Sequence, residues 1–300
     1  MSAPLDEIQT RLETHFAALS QQRAESELPV FVLEHGLSQG ECDQIAEALR
    51  YRVKWGLQLS PQWLLWIVHI TERGYAYEAD EFWRSFEEQT PGWTYHHRAN
   101  VSVWFRKFRN AYQGVVPFGA WAQHFSIIAW PITHAILPRY LQLQFARALF
   151  DLRYDLAQIE RGDPQSIGQL LAATQSHRST RFAAFLEQEE LAGRIVLALL
   201  KEHPSGVEAP IHLPTLTRIV ENLEQVRSAK HWFNETREIV KERFKGLGHT
   251  GHSSSTNSGS TGKQPSAERS SRTDLCPAPV LRHLGAGKWG LHMQIPNFRP

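Results

Sequence analysis

Cysteine is nearly absent from this chain of 300 residues: Cys42 and Cys276 are its two examples, with no CxxC pair and no even-numbered framework. That excludes a disulfide-stapled secreted scaffold and a cysteine-held structural zinc, and the usage points to a reducing cytoplasm. An excess of one charge is also missing. Lys and Arg number 32 against 31 Asp and Glu, a formal net charge of +1. No global field therefore draws the protein onto nucleic acid or an anionic membrane, and such a contact has to come from a local patch. Long hydrophobic runs are lacking too. The most apolar stretches, Trp63 to Ile70 and Phe125 to Leu137, fall well short of the roughly 20 residues that a bilayer-crossing helix needs, and the second holds Pro131 and His134. The first 26 residues have no continuous apolar core of the signal-peptide kind. The expectation is a cytoplasmic protein with no membrane partner. Catalytic signatures are equally scarce: there is no Gly-rich phosphate loop, GxSxG elbow, HExxH or paired Cys and His nucleophile pattern. No cofactor and no metal are expected.

What is present is enough apolar material, 42% of the residues, for one large or two modest cores. Punctuation residues cut the first 245 positions into helix-length pieces, with few runs of the alternation that a half-buried strand shows. Ser38-Gln39-Gly40-Glu41 is a capping box ahead of Ile45 and Leu49. Ser60-Pro61 opens a strongly apolar helix for which Gly74 is the expected stop. Further helices are predicted near Glu78 to Glu88 and Ala99 to Tyr112, and over Phe118 to Leu137, where Pro131 removes a backbone donor and splits the segment. From Pro138 the apolar positions Leu141, Phe145, Leu149, Leu152, Leu156 and Ile159 recur every three to four residues, which predicts an amphipathic helix. Asp163-Pro164 starts another, and a long last helix should run from near Pro214 to Gly246. Leu28 to Leu33 breaks the pattern with β-branched and aromatic residues after a proline, which fits an extended segment or a buried connector. No fixed-period repeat is present.

The fold class expected is thus mainly α: an irregular multi-helix domain over 1–246, a Ser/Gly-rich disordered linker over 247–274, and the start of a β-containing second domain over 275–300. The linker has almost no apolar surface to offset the entropy of ordering. Lys288 to Ile295 alternates like a strand, with Trp289, Leu291, Met293 and Ile295 on one side and no evident strand to pair with. The chain's end soon after suggests a domain that continues in a longer parent protein, or a segment that docks on a partner.

Eight of the ten tryptophans fall between residues 51 and 130, among many Phe and Tyr. Bulky rings filling an irregular helical core explain this simply; a stacking platform for bases or a groove for a peptide is the sharper alternative. Trp104-Phe-Arg-Lys-Phe-Arg109 interleaves rings with Arg106, Lys107 and Arg109, and Arg98 lies about two turns earlier. These four cations are the candidate nucleic-acid contacts, set against the ordinary solvated face of an amphipathic helix. His134, flanked by Ile132 and Ile136, is read as a structural clasp whose imidazole N–H donates to a backbone carbonyl left free by Pro131. A catalytic alternative needs three or more of Glu72, Asp80, Glu87, His124 and His134 to converge in one pocket.

The runs LPVFVLEHGL from Leu28, WLLWIVHITERGYAYEADEFWRSFEEQTPGW from Trp63 and WAQHFSIIAWPITHAILPRYLQLQFARALF from Trp121 resemble the N-terminal region of the large accessory proteins of Druantia-type bacterial anti-phage defence systems. The likeness spans residues 27–160, together with PAPVLRHLGAGKWGLHMQIPNFRP at the end of the chain. It implies a role in defence against phage DNA beside a helicase or another protein of the same system, and it brings no catalytic residues with it. Two function classes follow: a non-enzymatic scaffold or interaction domain with DNA as a further candidate partner, and a hydrolase or nuclease whose carboxylates and histidines meet only in three dimensions.

Overall fold

The computed structural model of the chain describes residues 3–26, 28–77, 81–158, 163–173, 179–200, 211–248, 278–285 and 288–294. The expected linker at 247–274 lies almost wholly outside them. Two compact units are present, Met1–Gly251 and His252–Pro300. In the first, the described residues are mainly helical: α1 (Ala3–Arg23), α2 (Gln39–Lys54), α3 (Trp63–Ala76), α4 (Phe82–Gln89), α5 (Tyr95–Tyr112), α6 (Gly119–His124), α7 (Ala129–His134), α8 (Arg139–Asp151), α9 (Arg153–Leu156), α10 (Pro164–Ala173), α11 (Thr180–Leu186), α12 (Glu189–Leu200), α13 (Leu213–Gln225) and α14 (Arg227–Gly248). None of them is long and apolar enough to cross a membrane.

Two apolar cores divide this unit. The first gathers α1 to α5 around Phe16, Trp66, Phe86, Phe105 and Phe108, and the second gathers α8 to α14 around Phe145, Leu171, Phe182, Ile195 and Phe233. Helix α3 is central to the first core, with every residue from Trp63 to Thr71 buried, as a helix apolar all round requires. Most of the tryptophan-rich region is therefore core: Trp63, Trp66, Trp93, Trp104 and Trp130 are buried. Trp66 stacks on Trp104 with ring centroids 6.0 Å apart.

The segment Val30 to Leu33 joins the two cores by its alternation. Val30 and Val32 lie in the first core, while Phe31 and Leu33 lie in the second; the chain is extended at Val30 and Phe31 and then closes into a single 3-10 turn over Val32–Glu34. Its backbone is satisfied by exchange with the loop after α5, Val30 N–H donating to the Gln113 carbonyl (3.1 Å) and Val115 N–H to the Val30 carbonyl (3.1 Å). The capping box of α2 forms as read: Glu41 N–H donates to Ser38 Oγ (3.4 Å) and Ser38 N–H to Glu41 Oε2 (2.8 Å).

Four boundaries differ from the sequence reading. Gly74 does not stop α3, which runs to Ala76. A Cβ there would lie 3.2 Å from the Pro131 carbonyl oxygen, so the glycine lets α7 approach closely. The helix expected from Pro138 to Ile159 breaks at Leu152 (φ −99°, ψ 8°) into α8 and α9. The last long helix breaks at Val226, which is extended (φ −95°, ψ 113°). That break lets α14 fold back against both α13 and α8. Finally, α14 passes Gly246 and ends at Gly248. Pro131 stands in the first turn of α7, where its missing N–H is not needed.

The second unit contains a hairpin of β1 (Ala278–Gly285) and β2 (Lys288–Gln294), antiparallel, with Leu281 opposite Leu291 and His283 opposite Trp289. The strand expected from Lys288 thus has a partner immediately upstream. That partner is hard to read because Pro279, Arg282 and His283 interrupt its apolar pattern.

Candidate functional site

A cleft of about 370 Å³ is lined by residues of α2, α3, α8 and α13, among them Cys42, Asp43, Glu72, Arg73, Tyr75, Arg139, Arg218 and Asn222. At its centre Glu72, in the last turns of α3, accepts from three donors. Arg218 of α13 grips it with two prongs, Nη1 to Oε1 at 2.5 Å and Nη2 to Oε2 at 2.6 Å. His35, just after the 3-10 turn Val32–Glu34, approaches Oε1 through Nε2 at 2.8 Å. The imidazole tautomer follows from its other nitrogen: Leu37 N–H donates to His35 Nδ1 (3.0 Å), so the proton resides on Nε2 and points at the carboxylate. Burial by itself would raise the Glu72 pKa, but the bonds from Arg218 and His35 outweigh it and hold the group at about 2. Arg218 also lies over the Tyr75 ring at 4.3 Å. The Tyr75 hydroxyl accepts from Asn222 Nδ2 (2.5 Å) and Gln142 Nε2 (3.3 Å).

His35, Cys42 and Glu72 offer donor atoms within 4.8 Å of one another, close enough to gather around a metal ion. Their chemistry does not suit one. Both Glu72 oxygens already face a guanidinium, His35 Nδ1 is taken by the backbone, and the Cys42 thiol is pushed up to about 12 by burial and then by the Glu72 charge. At neutral pH that sulfur is a protonated thiol, a poor ligand and a poor nucleophile.

Behind His35 lies a second polar knot. Glu34, fully buried, receives both prongs of Arg23 (2.7 and 2.8 Å), the Phe31 N–H (2.9 Å) and the His212 N–H (2.5 Å). It ties α1, the connector around Phe31 and the start of α13 together. Its four acceptor bonds satisfy the oxygens of a carboxyl group taken wholly out of water.

The residues singled out from the sequence are spread over the unit. Glu72 lines the cleft, whereas Glu87 is held by Arg98 (2.5 Å), His124 is exposed on α6, and His134 is fully buried. Asp80 lies outside the described residues. Of the four cations on α5, Arg98 is thus ion-paired and also lies over the Trp83 ring at 5.0 Å. Lys107 lies over Trp63 at 4.4 Å, and Arg106 and Arg109 are exposed. The His134 clasp runs opposite to expectation. Its Nδ1 accepts from the Val32 N–H at 3.1 Å, and Nε2 faces the Val115 backbone without a well-formed hydrogen bond. The Pro131 carbonyl is instead taken by the Ala135 N–H (3.0 Å).

Sequence reading missed His35, Cys42, Arg218 and the Arg23–Glu34 pair. The one local signal was Glu34-His35 directly following five apolar positions, a place where charge is costly unless it is paired.

Fold and cleft together define a helical unit built on two cores with a polar, arginine-rich cleft beside their junction. No family model, no curated protein and no solved structure matches this chain.

Proposed function

We propose that the helical unit is a non-enzymatic interaction domain of a bacterial anti-phage defence protein, acting beside a helicase partner and reaching DNA through a local basic patch. The non-enzymatic part rests on one observation: three of the candidate acid and base groups are held by three different sets of structural partners. Glu72 is bound by Arg218 and His35, Glu87 by Arg98, and His134 by the Val32 N–H. Of these candidates, the cleft takes in Glu72 but not Glu87, His124 or His134. A hydrolase or nuclease needs several such groups facing one reacting atom.

The defence role and the helicase rest on the resemblance of residues 27–160. For a protein partner, the exposed apolar residues Tyr51, Trp55 and Leu57 at the end of α2, and Phe118 and Phe125 flanking α6, offer contact surface. For DNA, Arg106 and Arg109 remain open to phosphate, with Lys107 beside them.

Co-expression with the helicase encoded beside the gene, followed by size-exclusion chromatography, tests the reading. A co-eluting complex is expected, and changing Trp55 and Phe118 together to Ser should weaken it while leaving the melting temperature unaltered. A chain that elutes alone and cleaves DNA by itself would replace this reading with the hydrolytic one.

A further inference from the structure

We propose that the arginine-lined cleft is a binding site for a small organic anion bearing two or more negative charges, of the phosphate-ester or dicarboxylate kind. Charge within the cleft carries the argument. Its lining includes Arg73, Arg139 and Arg218 against Asp43 and Glu72. Arg218 and Glu72 cancel in their two-pronged pair. Asp43 accepts from the Gln39 amide (3.0 Å) and Arg139 donates to the neutral amide oxygen of Asn222 (3.0 Å).

That leaves Arg73 half-buried with no ion pair among the described residues, under a like charge from Arg50 that Glu72 and Asp43 oppose. Arg50, on α2, bears on the Arg73 guanidinium, which burial and then this like charge make less basic. Arg50 Nε is itself buried with no hydrogen-bond partner. Arg73 lines the cleft without an ion pair among the described residues, and an oxyanion seated there would offset both its burial and the like charge of Arg50 more directly than Glu72 and Asp43 do. Planar guanidinium forks match carboxylate and phosphate oxygens two at a time, so the preferred guest is an oxyanion rather than a halide. The protonated Cys42 thiol adds no opposing charge.

Shape argues for an organic anion. About 370 Å³ falls at the lower end of the roughly 300–1,000 Å³ usual for small-molecule sites, and exceeds what a bare phosphate fills. Ile45, Ala46, Val68 and Tyr75 close the floor of the cleft, while Arg73 on α3 and Arg139 at the start of α8 bring cations from two walls.

Isothermal titration of the full chain with pyrophosphate and, separately, with succinate tests the site. Saturable binding at one site per chain is expected, with pyrophosphate the tighter if the guest is a phosphate ester and succinate the tighter if it is a dicarboxylate. Arg73→Gln should weaken binding at least about tenfold, the weight of one charge-assisted contact. Arg139→Gln should weaken binding as well, and Arg106→Ala on α5 should leave it unchanged. Should Arg73→Gln fail to fold, Arg139→Gln at the exposed rim decides alone. No saturable heat with either anion, or binding that survives both cleft variants intact, overturns the proposal.

Discussion

At the scale of single residues, His134 shows how a side chain can be anticipated in place but reversed in role. It is an acceptor: Nδ1 takes the N–H of Val32, 102 residues away in sequence, within a dry site between Phe105, Phe108 and Trp130. The contact atom decides which substitution is conservative. Asn carries Oδ1 at the same bond separation from the backbone as Nδ1, whereas Gln places its oxygen one bond further. His134→Ala should therefore cost about 3–5 kcal/mol, from an unsatisfied Val32 N–H and a cavity, and His134→Asn should recover more of that loss than His134→Gln. Urea unfolding of the three variants checks the ranking, and a better rescue by Gln would show that Nε2 makes the important bond. The cleft was less legible. Glu72 pairs with a histidine 37 residues before it and an arginine 146 residues after it, and neither separation leaves a periodic trace in the sequence.

At the scale of elements, helices were legible wherever apolar spacing and a cap coincided, as at Ser38 before α2. Breaks were not, because Leu152 and Val226 satisfy helical periodicity on both sides and bend only to let α9 and α14 pack. The helix pair α10 and α12 depends on glycines that no local pattern marks. A Cβ on Gly168 would fall 1.9 Å from the Glu189 carbonyl oxygen, and one on Gly193 would fall 1.8 Å from the Pro164 carbonyl oxygen. The two contacts run in opposite order along the two helices, so the pair is antiparallel and meets backbone to backbone. In an exposed helix Gly→Ala would stabilise by roughly 0.5–1 kcal/mol. Here the added methyl has to push main chain apart, so Gly168→Ala and Gly193→Ala should each destabilise by about 1–3 kcal/mol. Thermal melts of either variant at or above the parent temperature would show that the helices do not touch there.

At the scale of the whole molecule, the charge is near neutral at pH 7 and turns positive as the 15 histidines take up protons, and the part of the acid response that structure assigns to particular groups lies with the buried ones. Burial holds His69 and His134 neutral at about 3. For His69, the charges of Arg73 and Arg50 add to that effect and Glu72 opposes it; for His134, the Val115 backbone opposes it. His212 is shifted the same way, again mainly by burial. A histidine whose folded pKa is depressed binds its proton first in the unfolded chain, so its stabilisation is complete above about 6.5 and drains away as pH falls toward 3. Glu72, held at about 2, follows the same sign but begins to matter only below about 4.5. The acid limb should therefore open at the histidines. Each contributes up to about 1.4 kcal/mol per pH unit once the unfolded chain is protonated, so His69 and His134 together should remove about 4 kcal/mol between pH 7 and pH 5. That is a large share of the roughly 5–15 kcal/mol that keeps a domain folded. Urea midpoints measured at pH 7, 6 and 5 should fall steadily, and the doubly substituted chain His69→Gln, His134→Asn should lose most of that slope even though it starts less stable. A parent protein with the same midpoint at pH 7 and pH 5 would mean that these rings are solvated or already charged, and the dry first core described here would be wrong at both positions.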